Sequence, residues 1–151
     1  IAPSATIEWC DPTRALVRVQ TSEDTSALQS ADNWRVTGLA RFQEHGLQFF
    51  LGGEPAYWYA SSEDLTPAEL VCHALVLDSG SRRVGYSMLL IEALDIDQDS
   101  LLNVATTYDL QSTLTTIYRS LQGDLNASAD QAASLPSRTE YLTLKEQYGV
   151  A

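Results

Sequence analysis

Lysine is almost absent from this chain: Lys145 is the only one among 151 residues, and eight arginines bring the bases to nine against twenty acids. Binding to a phosphate backbone rests on clustered Lys and Arg, so a net charge of −11 excludes nucleic acid as an expected partner. The same deficit argues against an anionic membrane surface. Long apolar runs are missing too. No aliphatic run exceeds four residues, as at Met88-Leu89-Leu90-Ile91, whereas a helix needs ~20 to span a bilayer, so no membrane insertion is expected. Ile1-Ala2-Pro3-Ser4 carries neither the basic nor the apolar segment of a signal peptide, and the chain opens without Met. The compartment is therefore left open.

Cysteine is scarce as well. Cys10 and Cys72 lie 62 positions apart, and two cysteines make no disulfide framework. Buried thiols are the simpler expectation, because free Cys is among the most buried residue types; a bridge remains the alternative. Catalytic motifs are lacking: Gly-x-Ser-x-Gly, His-Glu-x-x-His and paired Cys-x-x-Cys do not occur. Gly52-Gly53-Glu54 and Ser79-Gly80-Ser81 are too short for a phosphate-cradling loop and read as turns. His45 and His73 fall on different elements. Cys72 adjoins His73, but adjacent residues on a helix or strand point in different directions, which opposes a dyad. No catalytic, cofactor or metal residue is assigned, and no cofactor is expected.

What the chain does hold is apolar mass for one core: 44% hydrophobic residues, with three Trp, seven Tyr and three Phe. Alternation over Thr6–Trp9, turn chemistry at Asp11-Pro12-Thr13 and a resumed strand over Ala15–Val19 predict a hairpin. The polar stretch 21–32 reads as a loop. Residues 32–45 fit a helix stopped by Gly46, or a strand alternating Trp34, Val36, Gly38, Ala40 and Phe42. The composition of the last turn favours the helix, and Gly38 is the objection. Strands follow at Leu47–Leu51 and Ala56–Ala60.

Thr66-Pro67-Ala68-Glu69 is a helix start, with Thr at the N-cap, Pro at the first position and Glu at the third. It predicts a helix to about Leu77; a strand over Leu70–Leu77 competes. Residues 83–94 read as the longest strand, central in the sheet because Met88 to Ile91 is apolar on both faces. A long amphipathic helix over about 100–121 follows, with Leu101, Val104, Ala105, Tyr108, Leu114, Ile117, Tyr118 and Leu121 at helical spacing. Residues 122–137 read as a polar linker. Ser137-Arg138-Thr139-Glu140 is a second capping box, opening a helix that Gly149 ends, with Tyr141, Leu144 and Tyr148 inward.

These elements predict an α+β fold: a two-layer sandwich, its sheet mostly antiparallel and its helices packed on one face. They also predict one domain over 1–121, the linker, and a C-terminal helix over 138–151 docked on the domain or on a partner. Over residues 47–121, and through the Leu94-Asp95…Leu101 junction, this architecture loosely resembles the secretion-chaperone and YbjN-type fold. The N-terminal hairpin departs from that pattern, and the resemblance transfers no functional residue.

Two features bear on function. Residues 51–100 hold nine acids and two bases, a net of −7, and no Lys or Arg occurs from Val84 to Tyr118. Aromatics gather at Phe49, Phe50, Tyr57, Trp58 and Tyr59. Asp95, Asp97 and Asp99 have alternate spacing suggestive of calcium, but Ser100 stands where a turn glycine belongs and Thr106 where a closing Glu belongs. Helix capping explains them better. Acids beside aromatic anchors suit a basic, apolar protein segment; a solvated face over an ordinary core is the plainer account. The expectation is a non-catalytic protein-binding, chaperone-like or assembly factor in a larger complex, with Trp58, Tyr57, Tyr59, Glu92, Asp95 and Asp97 as candidates. The alternative is a small-molecule-binding or enzymatic domain whose pocket is lined by Trp58, Tyr59, Tyr86 and Tyr108.

Overall fold

A computed structural model describes residues 6–12, 14–19, 33–47, 56–60, 64–77, 80–123 and 135–150. The protein is α+β, with strands and helices segregated into two compact units, Ile1–Thr66 and Pro67–Ala151.

Among the described residues, the first unit holds a four-stranded antiparallel sheet of order β1-β2-β4-β3. β1 (Thr6–Cys10) and β2 (Ala15–Val19) form the expected hairpin. Asp11 closes it: its carboxylate accepts the Arg14 amide at 2.7 Å, and its own amide donates to the Arg14 carbonyl. β4 (Ala56–Ala60) lies between β2 and β3 (Trp34–Thr37), so Trp58 faces Val17 on one side and Val36 on the other. These residues, with Val19, Ala15 and Trp34, form one core cluster. Side chains alternate across a strand, which puts Leu16 and Tyr59 on the opposite face, and both are buried as well.

The stretch 32–45 divides where the sequence raised its objection. Gly38, at φ 85°, ends β3 and opens a 3-10 helix over Leu39–His45. The earlier half is therefore strand, not helix, because no continuous helix passes through that backbone angle. Gly46, at φ 91°, closes the segment as expected. Of the strand expected over 47–51, Leu47 is buried and extends no strand, and the remainder lies outside the described residues.

Arg41 ties this segment down. Its guanidinium donates to the Val36 carbonyl (2.9 Å), to both carboxylate oxygens of Glu44 (2.6 and 3.1 Å) and to Asp64 (2.9 Å). Burial opposes its charge, but the bonds to Glu44 and Asp64 outweigh burial and raise its pKa.

The second unit is helical. α1 (Pro67–Leu77) begins where Thr66-Pro67 predicts, and its residues Leu70 to Leu75 are all buried. α2 (Ser81–Leu94) corrects the expected central strand. Every residue from Val84 to Ile91 is buried. An element enclosed on all sides shows no amphipathic period, so helix and strand look alike there; length is the better guide, and fourteen residues is too long for an ordinary strand. With that strand gone, the strand–turn–helix pattern behind the chaperone-like resemblance is a helix–turn–helix here.

α3 (Gln98–Ala105) and α4 (Gln111–Leu121) together occupy the span read as one long helix. A 3-10 turn over Thr106–Tyr108 and Asp109 at φ 57° separate them. Asp is among the few residues that enter the left-handed region readily, and the Leu110 amide returns to the Ala105 carbonyl at 3.1 Å across the break. Of the expected inward set, Leu101, Ala105, Tyr108, Leu114, Ile117 and Tyr118 are buried, whereas Val104 and Leu121 are half-buried. α5 (Arg138–Tyr148) has the reciprocal Ser137/Glu140 capping box and ends at Gly149, φ 69°. It packs on α2.

Two outcomes follow from these contacts. Leu89, fully buried in α2, should cost about 2–5 kcal/mol when changed to Ala, read as the loss of helical circular dichroism on urea titration. The Arg41 and Leu65 hydrogen bonds hold the Asp64 carboxyl below its ordinary range. A depressed carboxylate stabilises the fold above its unfolded pKa, and that contribution is lost as pH falls through the folded value. Asp64→Asn should therefore lower the urea midpoint near pH 7 and matter progressively less below ~3.9. Asp64 is largely exposed, so added salt should shrink the effect.

Candidate functional site

The six sequence candidates do not stand in one unit. Tyr57, Trp58 and Tyr59 lie on β4 in the first; Glu92, Asp95 and Asp97 lie at the α2–α3 junction in the second. Trp58 and Tyr59 are 6% and 1% exposed, and Tyr57 is half-buried. Tyr59 stacks on Trp9 with centroids 6.4 Å apart. The Trp58 indole N–H is buried and has no hydrogen-bond partner among the described residues. Trp58 and Tyr59 are thus core residues. Tyr86 and Tyr108, named for a pocket, are buried as well: Tyr86 meets Tyr148 edge-on, and the Tyr108 hydroxyl lies 2.8 Å from His73 Nε2.

The acidic junction is built by capping. Asp95 takes the left-handed conformation (φ 50°) that ends α2, its amide returning to the Glu92 carbonyl and the Ile96 amide to that of Ile91. This is a common helix stop, and Asp tolerates it better than most residues. Two residues on, the Asp97 carboxylate accepts the Ser100 amide at 3.0 Å and caps α3. Asp99 sits in the first turn, where the helix dipole favours an anion. All three aspartates are exposed. Capping thus accounts for their spacing, and among the described residues no group of three His, Cys, Asp or Glu side chains is placed to hold a metal ion.

The junction's charge reaches inward. The Tyr118 hydroxyl donates to the Ile96 carbonyl at 2.8 Å. Burial pushes that hydroxyl up to about 12, and the Asp97 and Asp95 carboxylates add to the effect. Glu92 behaves differently from the aspartates. It is half-buried, accepts the Tyr141 hydroxyl at 2.6 Å and pairs with Lys145 at 3.3 Å. The chain's single lysine is therefore turned to Glu92.

Two further features were not read from the sequence. His73, fully buried on α1, is joined to Tyr108 and meets its ring edge-on. The recurrence of Tyr108 with the apolar set hid its hydroxyl's polar role. The second is an open groove of about 320 Å³ along α5, lined by Pro136, Thr139, Glu140, Thr143, Leu144 and Gln147. Its only sequence signal is the i, i+4, i+8 row of Thr139, Thr143 and Gln147.

The two thiols are free and differ in exposure. Cys10 is exposed on β1; Cys72 is buried, and burial, followed by the Glu69 charge, pushes it up to about 12. A thiol held protonated is a poor nucleophile. Under native conditions an aromatic disulfide reagent should titrate one thiol promptly, assigned to Cys10 by its loss in Cys10→Ser. The second should react only after denaturation.

No curated protein and no solved structure matches the chain. A family model described by its C-terminal position matches residues 31–150. That match takes in most of the length, and the chain belongs to the HVO_2833_C, C-terminal family.

Proposed function

We propose that this protein is a non-catalytic binding factor whose α2–α3 junction receives a basic segment of a partner protein. The observation that carries this reading is the run of exposed carboxylates at Asp95, Asp97 and Asp99, in a stretch from Val84 to Tyr118 that contains no Lys or Arg. Clustered charge of one sign speeds encounter with a partner of the opposite sign. The one lysine near it is occupied by Glu92. The buried ring of Trp58 contributes stability to the sheet and no contact to the partner. Leu142 on α5, in the same unit, is exposed at 50% and is available for an apolar contact. The groove along α5 favours a second reading, a small-molecule ligand, since about 320 Å³ falls at the lower end of ligand-pocket volumes.

The junction permits a clean test. Asn caps helices as well as Asp and enters the left-handed region as readily, so Asp95→Asn, Asp97→Asn and Asp99→Asn together remove charge with the backbone retained. Partners captured from native extract by the wild-type protein should associate at least tenfold more slowly with the triple variant. The salt dependence of association should flatten while dissociation changes little. Absence of a stoichiometric protein partner, or a triple variant that binds at the wild-type rate, would sink the reading.

A further inference from the structure

We propose that α5 is a releasable strap, held on α2 through the single carboxylate of Glu92, which lifts as a unit when that carboxylate loses its charge and uncovers a notch at Gly85 and Tyr86. This goes beyond the binding reading and does not depend on it.

The contacts set α5 apart from the other helices. Its only buried residue is Tyr141, whereas α1 buries six consecutive residues and α2 eight. Elements with few buried apolar groups open at low cost relative to the core. What α5 has in place of burial is a cluster around one acid. The Tyr141 hydroxyl donates to Glu92 Oε1 at 2.6 Å, and Lys145 Nζ lies 3.3 and 3.4 Å from the two carboxylate oxygens. The ammonium also stands 5.9 Å from the centroid of the Tyr141 ring, within range of a cation–π contact. The pair is partly shielded, with Glu92 and Lys145 side chains 26% and 22% exposed, so it is less screened than a surface pair. Elsewhere on this interface Tyr148 meets Tyr86 edge-on at 6.0 Å, and Leu144 reaches Gly85.

Two features make this interface separable. First, α5 satisfies its own ends, through the Ser137/Glu140 capping box and the Gly149 stop, so lifting it orphans no end group that α2 had been serving. Second, the seat on α2 is shaped for removal and return. A Cβ at Gly85 would stand 2.9 Å from Leu144 Cδ1 and 3.6 Å from Pro136 Cγ. Glycine costs a helix stability relative to alanine, and here its gain is the notch that receives Leu144. The occupant of the notch is α5 itself.

Hydrogen exchange on the full chain, followed by mass spectrometry, tests this directly. In Glu92→Gln the amides of 138–148 should exchange at least tenfold faster than in wild type, with those of α1 to α4 unchanged. Gly85→Ala is the second variant, and it keeps the test open if Glu92→Gln fails to fold. It should loosen α5 by displacing Leu144 while leaving α2 as protected as before or more so, since alanine favours the helix. Unchanged exchange of α5 in Glu92→Gln would overturn the proposal. Loosening of α2 in step with α5 in either variant would overturn it too, because α5 would then belong to the common core.

Discussion

The helical unit depends on one constraint: eight consecutive residues of α2, Val84 to Ile91, are withdrawn from water. A charge placed anywhere in that run would carry a large desolvation cost, so charge is displaced to the ends, Arg83 before it and Glu92 and Asp95 after it. The acidic character of the α2–α3 junction is in this sense a consequence of the core. Ser87 marks the limit of the arrangement: its hydroxyl is buried and lacks a hydrogen-bond partner among the described residues, a cost of ~1–3 kcal/mol by general experience with such groups.

The same constraint explains which parts of the fold could be read from the sequence. Hairpin, first helix start and last helix were legible because each is specified by local chemistry: Asp11-Pro12, Thr66-Pro67, Ser137 with Glu140, Gly46 and Gly149. Those residues act on backbone groups within a few positions, whatever the rest of the chain does. α2 was illegible because periodicity vanishes when every face is buried, and β-branched or aromatic residues near Val84 and Tyr86 mimic a strand. The break at Asp109 was hidden for the opposite reason. The inward set on either side keeps helical spacing through the interruption, and a single residue at φ 57° leaves little trace in a hydrophobic pattern.

Of the candidate site, the acids were legible and the aromatics misled. Asp97 caps the start of α3 as expected, whereas Asp95 ends a helix that the sequence did not announce, and the charge of both remains at the surface. Trp58 and Tyr59 looked like more rings than one sheet face needs. The sheet is covered on both faces, with Trp58 in the Val17 cluster and Tyr59 opposite Leu16. Glu92 was grouped with the aspartates, but its contacts depend on Tyr141 and Lys145, forty-nine and fifty-three positions away. No local pattern announces such a partner.

The location of the indoles has a practical consequence. Trp9, Trp34 and Trp58 all belong to the strands of the first unit, and the helical unit contains none. Intrinsic tryptophan emission therefore samples the sheet alone, whereas ellipticity at 222 nm is dominated by the five α-helices described in the second unit. The two spectroscopic signals are independent channels on two halves of one chain. If they shift at different denaturant concentrations, the gap between their midpoints measures how far the sheet and the helices unfold as separate cooperative bodies.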